Sequence, residues 1–198
     1  MPRTKVDLTY PHDYQVEELV EIASRPAGEK HLYFPGASEE GGHDGVLIRV
    51  RPSSASWIGI FAFGYNSPKA ITGIYSCPDP GTLCVVAKAQ GYLVKANDPH
   101  IWEPINAYPI LDIRSVISKR LLLFADFTKM SAYGSRGHAW TTSDLSWDGI
   151  EIVDVTSEQI KGLAWDSPQQ HEVEFLVDVE TGKHIGGSSP ERYVGAKC

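Results

Sequence analysis

The twenty residues from Leu83 to Trp102 align without a gap on the twenty from Leu121 to Trp140, and few folds accommodate such an internal repeat. The alignment pairs Leu83 with Leu121, Ala87 with Ala125, His100 with His138 and Trp102 with Trp140. It also keeps apolar character at Val85/Leu123 and Val86/Phe124. Upstream, with one residue removed from the loop, Ile71-x-x-Ile74-x-Ser76 falls on Ile110-x-x-Ile113-x-Ser115. Two weaker echoes bracket the pair: Trp57 to Ala70 resembles Leu83 to Ala96 with a shared Lys-Ala ending, and Ile160 to Val179 repeats the apolar pattern. A period near 38 residues holds a few strands and their turns, which predicts stacked or radially arranged hairpins.

Short apolar runs between turn residues extend this reading to most of the chain. Strands are expected at Val46–Val50, Trp57–Phe63, Ile71–Tyr75, Cys84–Val94, Leu121–Phe127, Ile150–Val155 and Val173–Val179, with Asp148-Gly149 and Glu180-Thr181-Gly182-Lys183 as turns. Where a strand runs into Asp-x-x-Thr-Gly, from Asp178 to Gly182, the pattern resembles a propeller blade. The length allows at most about four small blades, and a closed barrel or a meander fits equally. The expected fold is therefore mainly β, of antiparallel hairpin repeats, with one N-terminal helix. That helix is predicted near residues 14–24, with Asp13 as its cap and Val16, Leu19, Val20 and Ala23 at helical spacing. Glu17, Glu18 and Glu21 form its other face, and Pro26 and Gly28 end it. The glycine-rich stretch from Ala27 to Gly45 reads as a loop anchored by Leu32, Tyr33 and Phe34. Three segments result: a helix-and-loop appendage over 1–45, a β-rich repeat domain over 46–186 and a tail over 187–198.

The 198 residues carry a formal charge of −7 and a sequence pI near 5.5. A polyphosphate backbone needs clustered Lys and Arg, so nucleic acid is excluded as the expected partner. An acidic surface suits a basic protein partner reached by electrostatic steering. No signal-like stretch opens the sequence and its apolar runs fall short of a membrane span, so a cytoplasmic location and no membrane partner are expected. The cysteines Cys77, Cys84 and Cys198 lack metal-ligand spacing. Cys77 and Cys84 flank a Pro-Asp-Pro-Gly turn and so could face each other across a hairpin as a disulfide, although a reducing cytosol favours the free thiols.

The candidate binding residues are the two His-x-Trp sites, His100 with Trp102 and His138 with Trp140, together with the turn-associated Tyr92 and Tyr133. Imidazole beside indole can stack a ligand, and paired imidazoles can enter a metal site. Zinc needs three or four ligands and no third is spaced to match, so no metal is expected, although His43 or His184 could complete a site in the fold. Gly41-Gly42-His43-Asp44-Gly45 carries an adjacent His and Asp, whose side chains diverge in a flexible connector. No catalytic residue is assigned, and with no nucleotide, zinc-protease or calcium motif present no cofactor is expected. Tyr65, Tyr75, Trp147 and Trp165 are further aromatics at strand ends or turns, a few of them suited to an interface.

Three functions fit. The first is a cytosolic protein-binding module, in its narrow form a neutralising or immunity-type partner of a basic protein. The second is a small enzyme or ligand-binding protein using the His-x-Trp rim, and the third a structural subunit of a larger assembly.

Overall fold

Alternating side chains, rather than runs at helical spacing, shape the described part of the chain. The computed structural model describes residues 4–21, 29–67 and 70–190. Among them lie seventeen strands, a short 3-10 turn at Ile117–Lys119 and no α-helix. The chain divides into two compact units, Met1–Ile105 and Asn106–Cys198.

The first unit holds β1 (Lys5–Asp7), β2 (Gln15–Leu19), β3 (Lys30–Phe34), β4 (Gly45–Arg51), β5 (Trp57–Ala62), β6 (Gly73–Ser76), β7 (Thr82–Ala87), β8 (Gln90–Lys95) and β9 (Trp102–Pro104). They form two sheets, ordered β2-β4-β5-β3 and β1-β6-β7-β8-β9. β3 runs parallel to β5 and β1 parallel to β6; every other pair is antiparallel. Phe34, Phe61, Leu83, Val85 and Val94 sit in the core with no more than a trace of exposure, and Phe34 stacks on Phe61 at 4.5 Å. Burying each such phenylalanine is worth about 2–3 kcal/mol.

The expected N-terminal helix is absent. Residues 15–19 form β2, which pairs with β4 so that Val16 faces Val50 and Leu19 faces Leu47. Glu17 then reaches the guanidinium of Arg51 at 2.8 Å and that of Arg49 at 3.5 Å. Val20, assigned to the apolar face of a helix, is fully exposed. A short isolated helix is marginal in water, and a ready strand edge with two arginines outweighs the 3.6-residue pattern. Residues 22–24 of that helix lie outside the described residues. Leu32, Tyr33 and Phe34, read as an anchor within a loop, belong to strand β3.

The second unit holds β10 (Asp112–Val116), β11 (Leu121–Ala125), β12 (Met130–Gly134), β13 (Gly137–Thr141), β14 (Ile150–Val155), β15 (Gln159–Asp166), β16 (His171–Asp178) and β17 (His184–Gly186). These make two antiparallel meanders, β10 to β13 and β14 to β17. Leu123, Met130, Ile160, Ala164, Phe175 and Val177 fill the core between them.

The strands repeat, but one residue off the gapless sequence alignment: the pair Ile74–Val85 falls on Ile113–Phe124 and Leu83–Val94 on Leu122–Tyr133, so Leu83 corresponds to Leu122 rather than to Leu121. Trp102 pairs with Val94 in the outermost strand of β6-β7-β8-β9, and Trp140 pairs with Ala132 in the outermost strand of β10-β11-β12-β13. Val94 corresponds to Tyr133 in the hairpins, however, so the slip turns the two tryptophans to opposite faces: Trp102 packs on Phe34 and Tyr92, while Trp140 is held at the Val179 carbonyl, and the expected equivalence of the two fails. A second correspondence joins the units. Trp57 donates its indole N–H to the Ala96 carbonyl at 2.8 Å, and Trp140 donates to the Val179 carbonyl at 2.9 Å. In each case a tryptophan of one sheet clasps the residue just after the third strand of the next meander. Gly182, at φ +69°, turns the chain beneath Trp140; a Cβ there would meet the indole at 2.6 Å.

Candidate functional site

The six residues singled out by the repeat fall into two groups. In the first unit, Trp102 is half-buried and meets Phe34 edge-on at 5.9 Å and Tyr92 at 6.2 Å. Tyr92 is buried and donates its hydroxyl hydrogen to the Ala62 carbonyl at 2.9 Å, and burial pushes its phenol up to about 12. His100 is exposed in the turn before β9, where its backbone N–H donates to the Asp98 carboxylate.

In the second unit, exposed His138 lies edge-on to buried Tyr133 at 5.3 Å, and its Nε2 is 2.8 Å from the Thr141 hydroxyl. Thr141 in turn meets Ser131 at 2.8 Å, and Ser131 donates to the Asn106 carbonyl. Tyr133 accepts the Asn106 backbone N–H at 2.8 Å, while Trp140 is buried in its clasp. The structure therefore gathers His138, Tyr133, Thr141 and Ser131 at one place and Trp102 with Tyr92 at another.

The other candidates are tied to their own surroundings. His43 lies edge-on to Tyr33 at 5.2 Å and its Nδ1 faces the backbone carbonyl of Asp44. His184 shares a 2.7 Å hydrogen bond with Ser143. Among the described residues no three His, Cys, Asp or Glu side chains converge as a metal site would require. Cys77 and Cys84 are free and buried, and desolvation pushes both thiols up, which keeps them protonated and poorly nucleophilic.

Two depressions mark the second unit: a cleft of about 540 Å³ along β10 and β14, and a hollow of about 230 Å³ on the sheet β14 to β17. The hollow has the sharper chemistry. In β15, Ile160, Gly162 and Ala164 face the core while Lys161, Leu163 and Trp165 alternate to the other face, half-exposed. Register sets Leu163 between Glu151 of β14 and Glu174 of β16, and Trp165 opposite Glu172. The hollow is lined by Leu163, Trp165, Ile150 and Gly149 with the carboxylates of Asp148, Glu151 and Glu172. Lys161 is taken by Glu174 at 2.8 Å, and among the described residues no ion pair engages the other three acids. Leu176 is half-exposed on the same face, and beside it Ile185 of β17 is 70% exposed.

The sequence offered one signal for this site. β15 is apolar at both sets of alternate positions, which marks a strand with two occupied faces. The acids gather only through pairing with β14 and β16.

No family model and no curated protein sequence matches the chain. Among solved structures the chain is similar to one titled as the crystal structure of the N-terminal domain of Nup159, at 13% identity and a TM-score of 0.36 over 98% of this chain. The chain spans 56% of that one, and a likeness this slight assigns neither fold nor function.

Proposed function

We propose that the protein is a protein-binding module that receives a basic partner on the outward face of the β14 to β17 sheet. The observation that carries this reading is the placement of Trp165 and Leu163 among three carboxylates that no described cation neutralises. A lysine or arginine side chain fits such a place: its methylenes lie on Leu163 and the indole, and its charge meets the ring face and the acids. Half-exposed Leu176 and exposed Ile185 extend the contact with apolar surface. The net charge of −7 adds long-range attraction, which salt weakens. A neutralising partner of a basic protein in the cytosol is the narrow form of this reading.

Affinity capture from native lysate tests it, comparing the unaltered protein with Trp165→Ala and with Glu151→Lys/Glu172→Lys. A basic protein should be retained by the first, released by raised salt, and lost from both variants. Capture of no basic protein sinks the reading, and capture indifferent to all three substitutions sinks the site.

A small-ligand rim is the second reading, and the chain of hydrogen bonds from His138 through Thr141 to Ser131 favours it. Small molecules that perturb the His138 ring resonances in solution would support it; a ring unmoved by a broad library would count against it.

A further inference from the structure

One edge of the repeat is filled in one copy and open in the next. β6 begins its meander, and β1 adds to it in parallel, with Lys5 opposite Gly73, Val6 opposite Ile74 and Asp7 opposite Tyr75. β10 begins the corresponding meander through the match of Ile74 with Ile113, yet it pairs only with β11. No strand among the described residues covers its other edge, and β14 likewise pairs only with β15. The 540 Å³ cleft opens between them, lined by Arg114 to Ser118 on one side and Ile152 to Ser157 on the other. Its volume is within the range of about 300–1,000 Å³ typical of sites that hold ligands. A strand edge offers a row of backbone N–H and C=O groups, the template on which extended peptides add.

We propose that the open edge of β10 binds an extended peptide of a partner protein by parallel strand addition, in the register β1 takes on β6. This surface is separate from the carboxylate-rimmed hollow, and the inference stands if the basic-partner reading falls. Carried across the repeat, the register sets three peptide residues opposite Asp112, Ile113 and Arg114, of which Arg114 lines the cleft and the other two precede it on the same strand edge. Paired residues of neighbouring strands share a face, so the peptide should read cationic, apolar, acidic. β1 itself reads Lys-Val-Asp at those places. Arg114 and Asp112 now hold each other at 2.9 Å, and Asp112 also accepts the outward Ile113 backbone N–H at 2.7 Å; with side chains 48% and 28% exposed, the carboxylate can yield that N–H to a peptide carbonyl and turn to the peptide without stranding a buried charge. Ile117 and Val153, 49% and 55% exposed, add apolar wall on either side.

The probe is a dye-labelled peptide with the sequence of Thr4–Thr9, titrated with the full-length protein by fluorescence anisotropy, with hydrogen exchange read on the complex. Saturable binding is expected, with slowed exchange over Asp112–Val116. Arg114→Glu should weaken binding about tenfold, and a peptide carrying Lys in place of the Asp should recover it on that variant. Trp165→Ala should bind the peptide as the unaltered protein does. Absence of saturable binding overturns the proposal, as does affinity indifferent to Arg114→Glu. Protection appearing at Gly73–Ser76 instead would mean exchange with β1 and also overturns it. So would self-association in sedimentation that Arg114→Glu abolishes, since the occupant would then be a second copy.

Discussion

Trp140 is held twice over, by its N–H on the Val179 carbonyl and by Gly182 against its ring. Phenylalanine keeps most of the apolar contact and removes the donor, so Trp140→Phe should destabilise by about 1–2 kcal/mol in chemical denaturation. Trp57→Phe should do the same through the Ala96 carbonyl. Tyr92 gives a pH signature. Burial pushes its phenol up to about 12, against about 10 in an unfolded chain. The fold thus favours the neutral phenol: that contribution is complete below about pH 10 and is lost as pH rises from about 10 through about 12. Tyr92→Phe should therefore lessen the fall in stability between about pH 10 and about 12, read by chemical denaturation at fixed pH values. Nearby turn residues marked Tyr92 and Tyr133 as turn-associated, but both lie within strands, β8 and β12, and are buried. Which aromatic faces the core is a matter of register, and register is set by partners distant in sequence.

β2 shows where local pattern fails. Val16, Leu19, Val20 and Ala23 match a helix as well as any segment here, but the arginines that decide the matter lie on β4, more than thirty residues away. Arg49 also takes the Glu29 carboxylate at 3.0 Å, and that carboxylate is only 7% exposed, whereas Glu17 is 48% exposed. Removing Arg49 leaves Glu29 covered without its cation, while removing Arg51 leaves Glu17 in water. Arg49→Met should accordingly lower the thermal midpoint clearly more than Arg51→Met does; equal shifts would mean that the Glu29 pair contributes nothing. The hairpin β7-β8 escaped for a different reason: Cys84–Val94 reads as one apolar strand, yet the chain turns at Lys88-Ala89, both at positive φ, with no Gly, Asn or Asp to mark the turn, and β12 likewise went unread after Leu121–Phe127.

Across the whole chain, a far-UV circular dichroism spectrum of strand type is expected, without a helical double minimum. A pronounced double minimum would contradict the β2 assignment together with the rest. That strands repeat was visible because apolar positions recur, but matching Trp102 to Trp140 set the spacing at 38 where the paired strands recur at 39. The correspondence between the two units was not visible, since half of each clasp is a backbone carbonyl, which leaves no mark in the sequence. The acidic hollow was hidden likewise, because Asp148, Glu151 and Glu172 meet only once three strands are in register. The clasps also give the protein an optical property. Trp57 and Trp140 are buried indoles placed one to each unit, both where two sheets meet. With Trp102, Trp147 and Trp165 changed to phenylalanine, and either clasp tryptophan then removed in turn, the remaining emission colour reports a single unit. A red shift marks the moment when water reaches that seam, so the opening of each half can be timed separately by light.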